Sequence, residues 1–277
     1  MRRPGPPTVY TEYYGFAEPP FSLTPDPRFL FLSEKHREAF NHLLFGIRER
    51  KGFIQLTGEV GAGKTTLCRA LLEQLGPGVH TALILHPSMT PTQLLRSILV
   101  ELGLKPARDR VGCLGRLNEF LLERATAGED VVLLIDEAQD LTAELLEQVR
   151  LLSNLETDQR KLLQIVLVGQ PELRAKLNRP ELRQLRQRIT VRYHLEPLSA
   201  WETEHYIHHR VNLAAGAGPP SFDRRAIRRI HGYSKGVPRL INALCDKALL
   251  CGYVNGTRRL TGRQIKRSIR ELEGRFS

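Results

Sequence analysis

At 277 residues, with 41% apolar and 26% charged content, the chain is long enough for one full α/β domain and a smaller helical one, and too apolar for a disordered tail. No stretch reaches the roughly 18 continuous apolar residues that span a bilayer, Met1 to Thr8 leads into no signal-type apolar run, and Cys68, Cys113, Cys245 and Cys251 lack C-x-x-C spacing. An integral membrane protein, a disulfide scaffold and a zinc protein are thereby set aside for a soluble cytoplasmic protein with buried, reduced thiols. The net charge of +11 is unevenly placed: Ser199 to Ser277 holds 15 Lys/Arg against six Asp/Glu, and Arg174 to Arg192 adds seven basic residues against the single acid Glu181. Some basic surface is expected to face an anion.

Residues 1–32 contain seven prolines and seven aromatics, ending PPFSLTPDPRFLFL. That is too aromatic for a linker and too rich in proline for a helix or central strand, so an ordered extended arm is predicted. Ser33 offers an N-cap to EKHREAFNHLLFGIRER, an amphipathic helix with Phe40, Leu43, Leu44 and Ile47 on one face. From there to residue 198 strand and helix patterns alternate. Strands are predicted at Phe53 to Leu56, Thr81 to Leu85, Val131 to Ile135, Leu163 to Val168 and Thr190 to His194, with helices between them that include Pro91 to Leu102 and Leu114 to Ala125. Such alternation implies a parallel, doubly wound five-stranded sheet. Residues 199–277 show only helical periodicity, broken at Gly216-Ala217-Gly218-Pro219-Pro220, at Gly232 to Pro238 and at Asn255-Gly256, and predict a small all-helical domain. His208 and His209 are adjacent on a helix, face different directions and make a poor metal pair.

The stretch Gly58-Glu59-Val60-Gly61-Ala62-Gly63-Lys64-Thr65 reads G-x-x-x-x-G-K-[ST] between the first strand and the helix TLCRALLEQL that begins at Thr66. Gly58, Gly61 and Gly63 allow consecutive N–H groups to point inward, and the helix N-terminus adds about half a positive charge beside them. This loop is expected to hold a nucleoside triphosphate, with Lys64 on the β- and γ-phosphates and the Thr65 hydroxyl on Mg²⁺. The second half of the site is Val131-Val132-Leu133-Leu134-Ile135-Asp136-Glu137: a fully buried strand with two carboxylates at its C-terminal end, where open α/β sheets bind ligands. Asp136 is expected to hold Mg²⁺ through its water shell, and Glu137 to polarise the water that attacks the γ-phosphorus. A carboxylate in that place suits hydrolysis over transfer to a small molecule. No N-K-x-D guanine-reading motif occurs, which disfavours a GTP switch and leaves ATP.

The glycine loop, VVLLIDEAQ, LVGQPEL, LRQRI, GVPRLIN and the arm YYGFAEPPFSLTPDPRFLFLSEKHREAFNHLLFGI together resemble the AAA+ ATPases, and among them the ExeA-like (general secretion pathway protein A) group. The resemblance implies an AAA+ core followed by a helical lid. It puts Gln170 at the position that senses the γ-phosphate, where many AAA+ proteins carry Asn or Thr. Arg188, with Arg186 behind it, matches the arginine-finger region supplied to a neighbouring subunit's ATP, and Arg239 in Gly236-Val237-Pro238-Arg239 matches the second sensor. The arm would line the adenine pocket with Phe29 and Leu30. Fingers acting in trans imply a homo-oligomer, a hexamer-like ring or a helical filament.

Two purposes for turnover follow. ExeA-like relatives assemble secretion or envelope machinery and often continue into a membrane span and a periplasmic peptidoglycan-binding domain; this sequence contains neither, so a separate membrane assembly factor is expected to provide the coupling. The alternative is a DNA-binding AAA+ regulator, similar in type to the transposition ATPases that form filaments on DNA and recruit a transposase. For that reading Arg263, Lys266, Arg267 and Arg270 lie on one face of a helix whose other side carries Ile265, Ile269 and Leu272, a stripe able to follow the phosphates of double-stranded DNA.

Overall fold

The computed structural model describes residues 9–157, 160–214 and 219–274; Met1 to Thr8 and the predicted break at Gly216-Ala217-Gly218 lie outside them. In chain order the elements are α1 (Thr11–Tyr14), α2 (Glu34–Arg48), β1 (Phe53–Gly58), α3 (Lys64–Gln74), β2 (Val79–Ile84), α4 (Pro91–Glu101), α5 (Arg110–Thr126) and β3 (Asp130–Ile135). There follow α6 (Ala143–Leu152), β4 (Gln164–Gly169), α7 (Pro171–Leu177), α8 (Arg183–Arg188), β5 (Ile189–Leu195), α9 (Ala200–Ala214), β6 (Ser221–Phe222), α10 (Arg224–Ser234), α11 (Pro238–Val254), β7 (Arg259–Leu260) and α12 (Gly262–Leu272). They divide into a sheet unit, Glu34–Glu59 with Lys64–Leu195, and a helical unit, Met1–Ser33 with Val60–Gly63 and Glu196–Ser277.

The sheet unit is built on five parallel strands in the order β2-β3-β4-β1-β5. Val131 to Ile135 of β3 are all buried, as a strand covered by helices on both faces must be. The order carries the functional geometry. Because β1 pairs with β4 and β4 with β3, Thr57 stands level with Gly169 and Ile135 with Leu167, so the C-terminal ends of three adjacent strands open at one border of the sheet. The chain leaves β1 for the far edge and returns beside it, which creates the crevice where such sheets bind ligands. At that far edge, the Leu83 N–H of β2 donates to Glu101 Oε2 of α4 at 3.3 Å. Helix α5 starts four residues before the predicted Leu114, because the Asp109 side chain accepts from the Gly112 N–H at 2.7 Å and caps a first turn whose Val111 is 79% exposed.

The helical unit packs α9, α10, α11 and α12 around Ile207, Ile241, Leu244, Leu249 and Ile265. It differs from the sequence expectation in two ways. Residues 9–33 are not extended throughout: they contain α1 and a 3₁₀ turn at Pro27–Phe29, and Tyr10, Tyr14, Phe16, Phe21 and Phe29 are buried within this unit's own core. Burying five aromatic rings is what so proline-rich a segment needs to hold one path. The second difference is a short parallel pair, β6 with β7, inside a segment read as purely helical. Two residues per strand are too few to leave an alternating pattern.

Arg210 of α9 fastens the arm. It is 7% exposed, donates from Nε to Pro20 O at 2.5 Å, from Nη2 to Ser22 O at 3.2 Å and from Nη1 to the Tyr206 hydroxyl at 3.1 Å, and lies 4.6 Å over the Phe29 ring. All four cysteines are buried free thiols. Among the described residues no helix is long and apolar enough to cross a membrane.

Candidate functional site

Within the sheet unit, β1 delivers the glycine loop and α3 opens on Lys64. The Lys64 side chain folds back over the loop and donates from Nζ to Gly58 O at 2.8 Å and Glu59 O at 3.0 Å, with the residue only 6% exposed. Burial pushes its ammonium below the usual lysine range, against the opposing pull of the Glu137, Asp136 and Glu59 carboxylates. Thr65 Oγ1 donates to Asp136 Oδ2 at 2.5 Å, and Asp136, 3% exposed, also accepts the Glu137 N–H on Oδ1 at 2.9 Å. The sheet thus unites the predicted phosphate loop with the predicted carboxylates from the next strand but one.

The donor set fits a magnesium ion. A hydroxyl and one carboxylate oxygen already touch, both are hard oxygen ligands, and Mg²⁺ at nucleotide sites takes one or two protein oxygens with water and phosphate supplying the rest. Among the described residues no cluster of three or more His, Cys, Asp or Glu forms a metal cage. Thr65 and Asp136 are therefore the residues that would hold it.

Glu137 sits in the left-handed backbone region, φ +50°, a conformation that costs a non-glycine residue about 1–2 kcal/mol and that surrounding contacts must enforce. Two amides do so. Gln139 Nε2 donates to Glu137 Oε2 at 2.7 Å and Gln170 Nε2 to the same oxygen at 3.2 Å, while the Gln170 N–H donates to Gln139 Oε1 at 3.0 Å. Gln170 follows β4 as expected and reaches the carboxylate beside it on β3. Gln139 has no part in the expected site, although D-E-x-Q places an amide two residues past the carboxylate.

In the helical unit, the loop tip Val60–Gly63 meets α11. The Arg239 N–H donates to Gly61 O at 3.2 Å, and Gly61 has φ +77° with so little room that a Cβ there would lie 2.4 Å from Arg239 Cβ. Arg239 is thus in main-chain contact with the predicted phosphate loop. Phe29 and Leu30 differ from expectation. Phe29 is 6% exposed in the core beneath Arg210, offering no open face to an adenine, and Leu30 is half-buried with its carbonyl bonded by His209.

Arg186 and Arg188 close α8. Arg188 Nη1 donates to Ser153 Oγ at 2.6 Å and Arg186 Nη1 to Asn178 Oδ1 at 3.4 Å; among the described residues neither bonds Lys64, Thr65, Asp136 or Glu137. The structure does not bring them to this chain's own phosphate loop.

A parallel sheet of this strand order, with a glycine loop after its β1 and a buried Asp-Glu pair after β3, defines a P-loop nucleoside-triphosphatase core of the AAA+ type. An AAA domain matches residues 47–177. The chain is 46% identical over 268 residues to General secretion pathway protein A of Aeromonas hydrophila, a match that covers 96% of this chain and 49% of that protein. It carries an AAA domain and is related to that secretion protein, spanning about half its length. Among solved structures it shares its fold with Cdc6p from Pyrobaculum aerophilum (TM-score 0.70, 19% identity, 91% of this chain and 70% of that one). It also shares it with the Aeropyrum pernix ORC1 protein in complex with DNA (TM-score 0.69, 16% identity, 93% and 70%).

Proposed function

We propose that this chain binds ATP with Mg²⁺ and hydrolyses it between the subunits of a homo-oligomer, and that turnover drives assembly or remodelling of a protein complex in secretion. One observation carries the chemistry: the Thr65 hydroxyl lies 2.5 Å from the Asp136 carboxylate, with the Glu137 carboxylate on the next residue and the Lys64 ammonium at the loop. On binding, Lys64 exchanges the carbonyls of Gly58 and Glu59 for β- and γ-phosphate oxygens, and the N–H groups of Gly61 to Thr66 turn to the phosphates. Thr65 and Asp136 would hold a magnesium ion, which would supply charge neutralisation on the triphosphate. Glu137 takes the proton of the attacking water as the bond from the γ-phosphorus to the bridging oxygen breaks and ADP departs. Gln170 reads the γ-phosphate, Arg239 the nucleotide through the loop tip, and Arg188 with Arg186 acts on the ATP of a neighbouring subunit in a ring or filament.

The test is a pair of variants. Lys64→Ala is expected to abolish nucleotide binding, whereas Glu137→Gln is expected to bind MgATP normally and lose turnover by roughly 10²- to 10⁴-fold, the usual weight of a general base. Equal turnover in Glu137→Gln and the unaltered protein removes Glu137 from catalysis.

A second reading is a regulator that binds double-stranded DNA and recruits a transposase, and one feature of the helical unit favours it. Arg224, Arg225, Arg228 and Arg229 of α10 are all exposed, as are Arg263, Lys266, Arg267 and Arg270 of α12. The two helices pack together, with Arg225 against Gly262. Among the described residues only Arg267 of the eight is engaged in an ion pair, with Glu271 at 3.0 Å. A face of that charge should lose DNA affinity by roughly a thousandfold between 50 and 200 mM salt if six phosphates are contacted. Binding that ignores salt excludes it.

A further inference from the structure

We infer that Gln139 is a positioning residue for hydrolysis, the element that orients the Glu137 carboxylate and ties it to the end of β4. The inference rests on the ATPase reading and assigns a residue to its hydrolytic step.

The Gln139 amide is used at both ends, and its orientation is fixed by chemistry. The Gln170 backbone N–H can only donate, so the atom it meets at 3.0 Å is Oε1; Nε2 must then face Glu137, where it lies 2.7 Å from a carboxylate that can only accept. A flipped amide would set N–H against N–H and oxygen against oxygen. The site is also built to receive this side chain. A Cβ on Gly169 would lie 2.8 Å from Gln139 Oε1, so the absence of a side chain at the end of β4 makes room for the amide. The backbone is held too: Lys176 Nζ of α7 donates to Gln139 O, and to Leu141 O at 2.8 Å.

These bonds fix which oxygen does the chemistry. The side-chain donors from Gln139 and from Gln170 both land on Glu137 Oε2. Oε1 is left as the oxygen that faces the attacking water and takes its proton. Glu137 stands in left-handed backbone at φ +50°, and two donors on one oxygen hold a side chain that its main chain does not otherwise favour. When a γ-phosphate recruits the Gln170 amide, Gln139 keeps Oε2 in place. Gln139 thus maintains the base through the cycle, while Gln170 alternates between carboxylate and phosphate.

The experiment compares steady-state turnover and MgATP binding in the full chain for the unaltered protein, Gln139→Leu, Gln139→Glu, Glu137→Gln and the double variant Gln139→Leu/Glu137→Gln. Gln139→Leu removes both bonds; Gln139→Glu keeps the shape and the acceptor for the Gln170 N–H but replaces the donor, 2.7 Å from Glu137 Oε2, by a second carboxylate that repels it, and the urea midpoint of each variant guards against a folding defect. Each single variant at Gln139 is expected to lower kcat roughly 10- to 100-fold, the effect of loosening a reacting group by its supporting partner, with MgATP affinity within threefold. In the Glu137→Gln background, Gln139→Leu is expected to add nothing, since it acts only through Glu137. A kcat within threefold of the unaltered protein in Gln139→Glu, a loss confined to KM, or an equal loss in both backgrounds would overturn the inference. Failure of the ATPase reading itself looks different: the unaltered protein would turn over no faster than Lys64→Ala, and the role of Gln139 would fall with it.

Discussion

Replacing Gly61 by alanine tests the loop at its tightest point. Gly61 has φ +77°, where an L-residue pays about 1–2 kcal/mol in backbone strain. The new Cβ would stand 2.4 Å from Arg239 Cβ, whereas ordinary contact begins at 3.4 Å. The obstacle is the first side-chain atom of a helix N-terminus and cannot rotate away, so the loop and α11 must part by about 1 Å; overpacking of that kind costs roughly 1–3 kcal/mol. The combined expectation is a loss of about 2–5 kcal/mol of stability, read from the urea midpoint at constant m. A phosphate cradle displaced by about 1 Å should also weaken MgATP binding and kcat/KM by roughly 10²-fold. Gly76→Ala is the control: φ is +82° there but nothing lies within 4 Å of the added methyl, so strain appears without a nucleotide phenotype. If Gly61→Ala matches Gly76→Ala in both stability and nucleotide affinity, the steric account is wrong.

Arg210→Met keeps the length and removes three donated bonds, leaving the Pro20 and Ser22 carbonyls without their partner; a loss of about 2–5 kcal/mol and faster proteolysis between residues 17 and 26 are expected. An unchanged urea midpoint refutes the clamp. Arg188→Ala should lower turnover by roughly 10³-fold or more with nucleotide affinity retained, as for an arginine supplied in trans; a kcat within threefold of the unaltered protein removes Arg188 from that role. Should the chain bind DNA, reversing charge with Arg225→Glu and Arg229→Glu ought to reduce the salt slope by about 0.9 for each phosphate left unneutralised, and an unaltered slope places the DNA-binding surface elsewhere.

The phosphate loop and the Asp136-Glu137 pair were legible in the sequence because each needs fixed residue types at short spacing, and the five strands because runs such as Val131 to Ile135 are apolar enough to declare themselves. What could not be read was set by a local cap or by distant partners. Asp109 moves the start of α5 by a side-chain cap that apolar periodicity does not register. Phe29 carries the same aromatic signal whether it stacks on a base or fills a core, and only the approach of Arg210 from α9 decides for the core. Gln139 is polar, half-buried and unremarkable in the chain until Gly169 and Gln170, some thirty residues on, give its amide two partners.

The carboxylate of Glu101 on the Leu83 amide has a bearing on solubility. An open strand border is adhesive towards any other strand, a hazard that grows with the local concentration of the chain. A negative charge parked on the β2 rim disfavours such zippering. Should the chain assemble as proposed, its copies can then gather and separate through side-chain surfaces, without sheets fusing into aggregate.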